Sequence, residues 1–216
     1  MLWLVRSSLL KEKRGVLWMQ DLKKMVDLFA GFGGQSQAFL DAQWDVLRID
    51  NNPLLGGVQN MVVMDIKNLS VNERTVEIEY VHASPPCLEF SLAYASPRSR
   101  SARNEPDEEY LPDLSLLFEA MRIIEELKPR YWSIENVRGA IRYFEPYLGK
   151  PSLIIGAWVY WGNFPLFDTS SIEIVNKSQK DKRHSPLRAN HRAHIDLNVS
   201  KAFLNSMTSQ KSILDF

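Results

Sequence analysis

Residues 25–34 constrain the fold more than any other stretch. Met25-Val26-Asp27-Leu28-Phe29 is a short apolar run, and Ala30-Gly31-Phe32-Gly33-Gly34 closes it. A run of this length ending in clustered glycines reads as a strand entering a tight turn. Gln35 to Gln43 follows, with Ala38, Phe39 and Ala42 spaced for one helical face.

The same alternation continues. Trp44 to Ile49 reads as a second strand ending on Asp50, and Asn51-Asn52-Pro53 breaks it. A third strand around Met61–Met64 ends on Asp65, and a fourth, Val76 to Val81, runs into His82-Ala83-Ser84-Pro85-Pro86-Cys87. Ser96 to Glu109 has no apolar periodicity and predicts a long mobile loop. Leu114, Leu117, Phe118, Met121, Ile124 and Leu127 form a helical stripe that Pro129 stops. Tyr131-Trp132-Ser133-Ile134 is the next strand, ending at Glu135-Asn136-Val137. Strands alternating with helices predict an α/β fold built on a doubly wound, mostly parallel sheet. Past Gly149, residues 151–160 predict one strand, 161–165 a turn, 171–175 a further strand and 199–207 a closing helix.

Composition narrows the class. The chain has 216 residues, a length for one domain, and 45% of them are apolar, which excludes a disordered or collagen-like chain. Twenty-six basic residues balance 26 acidic ones, so any basic surface must be local. A single cysteine, Cys87, excludes an internal disulfide and a Cys-rich zinc site, and no metal is expected. No apolar run reaches the roughly 18 residues of a membrane span. The start, Met1 to Arg6, makes a poor signal peptide. The expectation is a cytoplasmic protein with no membrane partner, or one in host cytoplasm if viral in origin.

Ligands of open α/β sheets sit at the carboxyl ends of the strands. Asp50, Asp65, Cys87 and Glu135 all fall at or just past such ends, and Asp27 opens the first turn region. Gly31, Gly33 and Gly34 let backbone pass close to a ligand, although the full dinucleotide fingerprint and a phosphate loop are both missing. Asp50 stands where an acidic residue can hold ribose hydroxyls. Pro85 and Pro86 fix where the Cys87 thiol points, and that thiol needs activation to act as a nucleophile. A buried Glu135 would titrate high and could donate a proton.

In order and interval, Asp27-Leu28-Phe29-Ala30-Gly31-Phe32-Gly33-Gly34, Ser84-Pro85-Pro86-Cys87 and Glu135-Asn136-Val137 resemble the cytosine-5 DNA methyltransferases, over about residues 25 to 150. Arg192-Ala193-His194-Ile195 to Ala202-Phe203 is weakly similar to the family's last block. The resemblance implies the Rossmann-like methyltransferase sheet, with one antiparallel strand near an edge, and S-adenosylmethionine as cofactor. It implies cofactor contacts from Asp27, Phe29, Ala30, Gly31, Gly33, Gly34, Asp50, Asn51, Asp65 and Ile66: Phe29 on adenine, Asp50 on the ribose, Asp65 on the adenine amino group. It implies Cys87 attacking C6 of cytosine, Glu135 protonating N3, and Pro86 and Asn136 placing them. The target base must then be flipped out or single-stranded.

The resemblance divides the chain into an extension (1–24), a catalytic and cofactor-binding core (25–150), a reduced target-recognition region (151–195) and a helix packing back on the core (196–216). DNA is the implied partner. RNA, as for the tRNA-modifying branch, and a non-catalytic subunit of a split enzyme are the alternatives. The sequence departs from the family twice: no Gln-x-Arg-x-Arg element is present, with Arg183, Arg188 and Arg192 as candidates for its arginine, and the recognition region is short, so a partner subunit could supply recognition.

Arg98, Arg100 and Arg103, then Lys180, Lys182, Arg183 and Arg188, are expected to grip phosphates, which fixes register with little sequence information. Neutralising Lys180, Lys182 and Arg183 together is expected to flatten the salt dependence of duplex binding by up to about 0.9 per lost contact. Filter binding across a salt series checks this; an unchanged slope removes the stretch from the interface.

Overall fold

The computed structural model describes residues 22–70, 77–91, 96–104, 109–174 and 185–209. Seven strands form one sheet in the order β3-β2-β1-β4-β5-β7-β6. They are β1 (Lys24–Leu28), β2 (Asp45–Asp50), β3 (Met61–Val63), β4 (Tyr80–Ala83), β5 (Tyr131–Val137), β6 (Leu153–Ile155) and β7 (Trp158–Asn163). The first five are parallel, and β7 runs antiparallel to both β5 and β6. This is the doubly wound, mostly parallel α/β sheet expected, with its reversed strand next to the edge.

Strand alternation sends residues to two cores. One face carries Val26, Leu28, Leu47, Ile49, Val81, Ala83, Ile134, Val159 and Trp161. Helices α3 (Ser115–Leu127) and α4 (Ile141–Leu148) cover it with Leu117, Ala120, Ile123 and Phe144. The other face begins apolar, with Met25, Val46, Tyr80, Tyr131 and Tyr160 under α1 (Gln37–Asp41) and α6 (Leu197–Thr208). Its next row is polar. Cross-strand partners run Arg48, Asp27, His82, Ser133 through β2, β1, β4 and β5, and all four are buried.

Several expectations need correction. Residues 97–104 form a helix, α2 (Pro97–Asn104), instead of a loop. Ser96 Oγ accepts from Ser99 N at 3.2 Å, and Pro97 opens the first turn, so a cap and a proline start the helix without an apolar face. The fourth strand begins at Tyr80, later than expected. The run 151–160 is not one strand: Gly156, with φ +58°, turns it into the β6–β7 hairpin, and β7 takes in Trp161, Gly162 and Asn163 of the stretch 161–165 expected as a turn. The core sheet therefore extends past residue 150 into the segment expected to begin target recognition. Residues 171–174 are not a strand, while Val175 lies outside the described residues. The 3-10 turns at Pro53–Leu55, Ile66–Asn68 and Arg138–Ala140 and the short helix α5 (Arg188–Ala193) complete the elements among the described residues. The expected extension 1–21 also lies outside the described residues.

Phe203 closes the second core. It is fully buried, with ring centroids 4.8 Å from Tyr160, 5.0 Å from Phe164 and 5.1 Å from Phe167. Phe203→Ala is expected to cost about 3–5 kcal/mol through lost transfer energy and a cavity. Denaturant unfolding measures it; a loss below about 1 kcal/mol would mean that α6 is not part of the cooperative core.

Candidate active site

The glycine turn is built by its neighbours. Arg48, 1% exposed, donates from Nε to Ser36 Oγ at 2.8 Å and from Nη2 to the Gly33 carbonyl at 3.3 Å and Gln37 Oε1 at 3.0 Å. Its Nη1 reaches the Gln59 carbonyl at 3.1 Å. A Cβ on Gly33 would fall on this guanidinium, and φ there is +74°. A Cβ on Gly34 would lie 2.5 Å from the Ile195 carbonyl. Two of the three glycines thus make room for the protein's own groups. Gly31 is different: its φ is +53°, and a Cβ there would meet nothing nearer than Asn190 Nδ2 at 3.6 Å.

Asp50 ends β2 and holds this turn. Its Oδ2 accepts from Gly31 N and its Oδ1 from Asn52 N, each at 2.9 Å. Asp27 lies beneath, 1% exposed, and its Oδ2 has no hydrogen-bond partner among the described residues. Burial pushes the Asp27 carboxyl up to about 6, against the pull of Ser36 and Arg48. Asp65 is exposed at the end of β3, capping the next turn by accepting from Lys67 N at 3.0 Å. Ile66 is 3% exposed and packs in the first core, so its side chain is a core group. Phe29 takes a left-handed φ of +57° and packs half-buried against the same core, Ala30 N bonds the Ile49 carbonyl at 3.0 Å, and Asn51 is exposed.

An open Gly31, a carboxylate at the end of β2 and an unpaired buried carboxylate oxygen form a cradle that could hold a ligand with hydroxyls and a cationic group, and S-adenosylmethionine carries both. Phe32 stacks on His191 of α5 at 4.5 Å, so the C-terminal segment walls the turn.

The second cluster joins β4 to β5. Glu135, 7% exposed, accepts from Ser84 Oγ at 2.9 Å on Oε2. Burial raises its carboxyl to about 7, and the Ser84 bond opposes that rise. Asn136 Nδ2 donates to the Pro85 carbonyl at 2.9 Å, tying the end of β5 to the loop that carries Cys87. The Cys87 carbonyl accepts from Phe90 N and Ser91 N at 3.1 and 3.0 Å, so the thiol stands at the start of a turn, half-buried, beside exposed Pro86. Burial pushes the thiol up, the Glu135 charge adds to this, and Arg192 draws it down. A protonated Glu135 therefore favours the Cys87 thiolate.

A family model for C-5 cytosine-specific DNA methylases matches residues 23–144. The chain belongs to this family. Type II methyltransferase M.AquIA of Picosynechococcus sp. is 25% identical over 136 residues, which cover 56% of this chain and 51% of that protein. Type II methyltransferase M.HgiGI of Herpetosiphon aurantiacus is 28% identical over 127 residues, 54% of this chain and 92% of that protein. The chain thus spans about half the length of M.AquIA. Among solved structures, the METTL16 methyltransferase domain superposes with a TM-score of 0.39 at 14% identity, over 74% of this chain and 80% of that one.

Within this methylase sheet, the glycine turn with Asp27 and Asp50, and the Cys87–Glu135–Asn136 cluster, lie at the carboxyl ends of neighbouring strands. The basic residues are more scattered. Arg100 is exposed on α2 and Arg188 on α5, while the side chains of Arg98 and Arg103 and all of Lys180, Lys182 and Arg183 lie outside the described residues. Among the described residues no cluster of His, Cys, Asp and Glu could hold a metal, and no helix is long and apolar enough to cross a membrane. The sequence reading missed Arg48, Ser84, His82 and Ser133. Their signal was alternation: Tyr80, His82 and Ser84 share one strand face, as do Ser133 and Glu135.

Glu135 binds its proton more tightly folded, at about 7, than at its ordinary 4.5, so the fold loses stability as pH rises through that window. Glu135→Gln escapes this loss. Its stability relative to wild type is expected to grow by about 3 kcal/mol between pH 4.5 and about 8. Denaturant unfolding at the two pH values tests this; a constant difference would show that the folded carboxyl keeps an ordinary affinity for its proton.

Proposed function

We propose that this chain is a DNA cytosine-5 methyltransferase that uses S-adenosylmethionine and a covalent adduct at Cys87. The observation that carries the reading is the pairing of a half-buried thiol with a buried carboxyl whose proton affinity is set near neutrality. These two groups supply what addition to a pyrimidine ring requires: a nucleophile, and an acid that holds its proton at working pH.

In the proposed sequence the Cys87 sulfur bonds to C6 of a flipped-out cytosine while the Glu135 proton passes to N3. The ring's electrons are then available at C5. S-adenosylmethionine held in the cradle would supply the methyl group for C5, its sulfur keeping the bonding pair and leaving as the neutral thioether. Loss of the C5 proton to base lets the S–C6 bond break, and the N3 proton returns to Glu135. Asn136 and the two prolines hold the thiol loop against the end of β5. The cradle of Gly31, Asp50 and Asp27 holds the cofactor, and Asp27, placed below the turn, offers its unpaired oxygen to the cationic end. Asp65 and Phe29 border the adenine side. DNA contact falls to local basic groups such as Arg100 and Arg188, because the net charge of the chain is zero. A partner subunit that completes target recognition belongs to the same proposal.

Tritiated methyl transfer to DNA and to RNA, followed by bisulfite sequencing of whichever is labelled, tests the substrate. Cys87→Ser is expected to abolish transfer and to leave cofactor binding intact, since a hydroxyl is a far weaker nucleophile than a thiolate. DNA carrying 5-fluorocytosine is expected to trap an adduct on Cys87, because fluorine cannot leave as a proton does. Mass spectrometry that finds the adduct on another residue sinks the assignment.

A further inference from the structure

The buried polar atoms of the second sheet face form a continuous chain that ends on Glu135. Tyr160 OH donates to Gln35 Oε1 at 3.4 Å, and Gln35 Nε2 donates to Tyr80 OH at 3.3 Å. Tyr80 OH lies 2.6 Å from Ser133 Oγ, which lies 2.7 Å from His82 Nδ1. His82 Nε2 lies 2.9 Å from Ser84 Oγ, and Ser84 Oγ donates to Glu135 Oε2 at 2.9 Å. Tyr80, His82, Ser133 and Tyr160 are each at most 1% exposed.

Tyr80 OH also lies 3.5 Å from His82 Nδ1. With Ser84 as the donor to Glu135 and the Gln35 amide oriented toward Tyr80 and Tyr160 as above, counting hydrogens fixes the remaining links. Each hydroxyl has one proton, and a neutral imidazole has one N–H. Ser84 gives its proton to Glu135, so the hydrogen between His82 and Ser84 sits on Nε2. His82 Nδ1 is then an acceptor and takes the Ser133 proton. Ser133 in turn accepts from Tyr80, and Tyr80 accepts from the Gln35 amide. A second proton on the imidazole would turn the Ser133 and Tyr80 hydrogens back toward an amide N–H, which cannot accept them. Burial likewise pushes His82 down to about 3. The chain ends in the core at Tyr160, so it orients groups and does not conduct protons to solvent.

We propose that His82 is a positioning residue for Glu135: held as its Nε2–H tautomer by Ser133, it aims the Ser84 hydroxyl at Oε2 and leaves the acidic proton on Oε1. The catalytic value of this arrangement rests on the proposed role of Glu135; the arrangement itself does not. Cys87 beyond β4 and Tyr160 on β7 feel the Glu135 charge, while Arg192 on α5 acts on Cys87 and Asp27 on β1 acts on Tyr160. Tyr80 and Tyr160 are pushed above the ordinary tyrosine range by burial and stay un-ionised. Asp27, pushed up to about 6, is the group of these that changes charge near neutrality, while burial moves the Cys87 thiol further from it.

The full chain, labelled with 13C at glutamate carboxyls and 15N at histidine, tests the proposal without any assay of activity. Glu135→Gln assigns the Glu135 signal. At neutral pH the His82 ring should show a protonated Nε2 and an unprotonated Nδ1. Ser84→Ala removes a hydrogen bond to a charged group, so Glu135 should titrate about one to two pH units higher. His82→Leu should raise it in the same direction by less, and His82→Gln, whose amide can reach the Nε2 position, should restore it. In the methyl-transfer assay the basic limb should move up with the Glu135 titration, because the acid form persists to higher pH. An Nδ1–H tautomer in the wild type, or an unmoved Glu135 titration in Ser84→Ala, overturns the proposal. Should His82→Leu not fold, Ser84→Ala with Ser84→Thr as the hydroxyl-keeping control decides it alone. A chain that titrates as described but transfers no methyl group refutes the proposed function and not this arrangement.

Discussion

The polar row Arg48–Asp27–His82–Ser133 is the constraint that the rest of this structure accommodates. A parallel sheet covered on both faces ordinarily reads as continuous apolar strands. Here one face changes from apolar to polar between one residue pair and the next. Burying such groups is costly unless each finds a partner. Arg48 finds four acceptors, and in finding them it draws in the glycine turn that forms the cradle. His82 and Ser133 find each other and Ser84, and that path leads to Glu135. Asp27 retains one oxygen without a partner among the described residues. The glycine turn and the Glu135 cluster thus grow from the two ends of one buried row.

The same row bears on the electrostatics of Glu135 and Cys87. Glu135 is removed from water, and only the Ser84 hydroxyl opposes the resulting rise in its proton affinity. Cys87 is close enough to feel that carboxyl: a charged Glu135 pushes the thiol further up, whereas Arg192, reaching in from α5, draws it down.

Much of this was legible in the sequence, for identifiable reasons. Strands β1, β2 and β5 were readable because apolar runs end on glycine or on charged residues, and α3 because its stripe runs from Leu114 to Leu127 before Pro129. The strand-end positions of Asp50, Cys87 and Glu135 came from the same pattern. Helix α2 was hidden because it lacks an apolar face and is started by Ser96 and Pro97. The β6–β7 hairpin was hidden because a single glycine, Gly156, interrupts a uniformly apolar run. Arg48 and His82 were missed for a deeper reason. A lone polar residue within a strand carries no local sign of its partner, and theirs come from Ser36, Gln59 and Ser133, which only tertiary pairing brings near.

Helix α6 reaches back across 162 positions of chain to the first turn. Ser200 Oγ accepts from Ala38 N at 3.1 Å and donates to the Gln35 carbonyl at 2.5 Å, while the Ile195 backbone fills the space beside Gly34. On the ribosome this separation in sequence becomes a separation in time. The parallel strands β1, β2, β4 and β5 emerge together with Cys87 and Glu135, long before residue 200. The glycine turn, made early, waits for Ile195 and Ser200, made late. A nascent chain carries Cys87 and Glu135 while its glycine turn still lacks a wall, and that turn becomes whole only once α6 has left the exit tunnel.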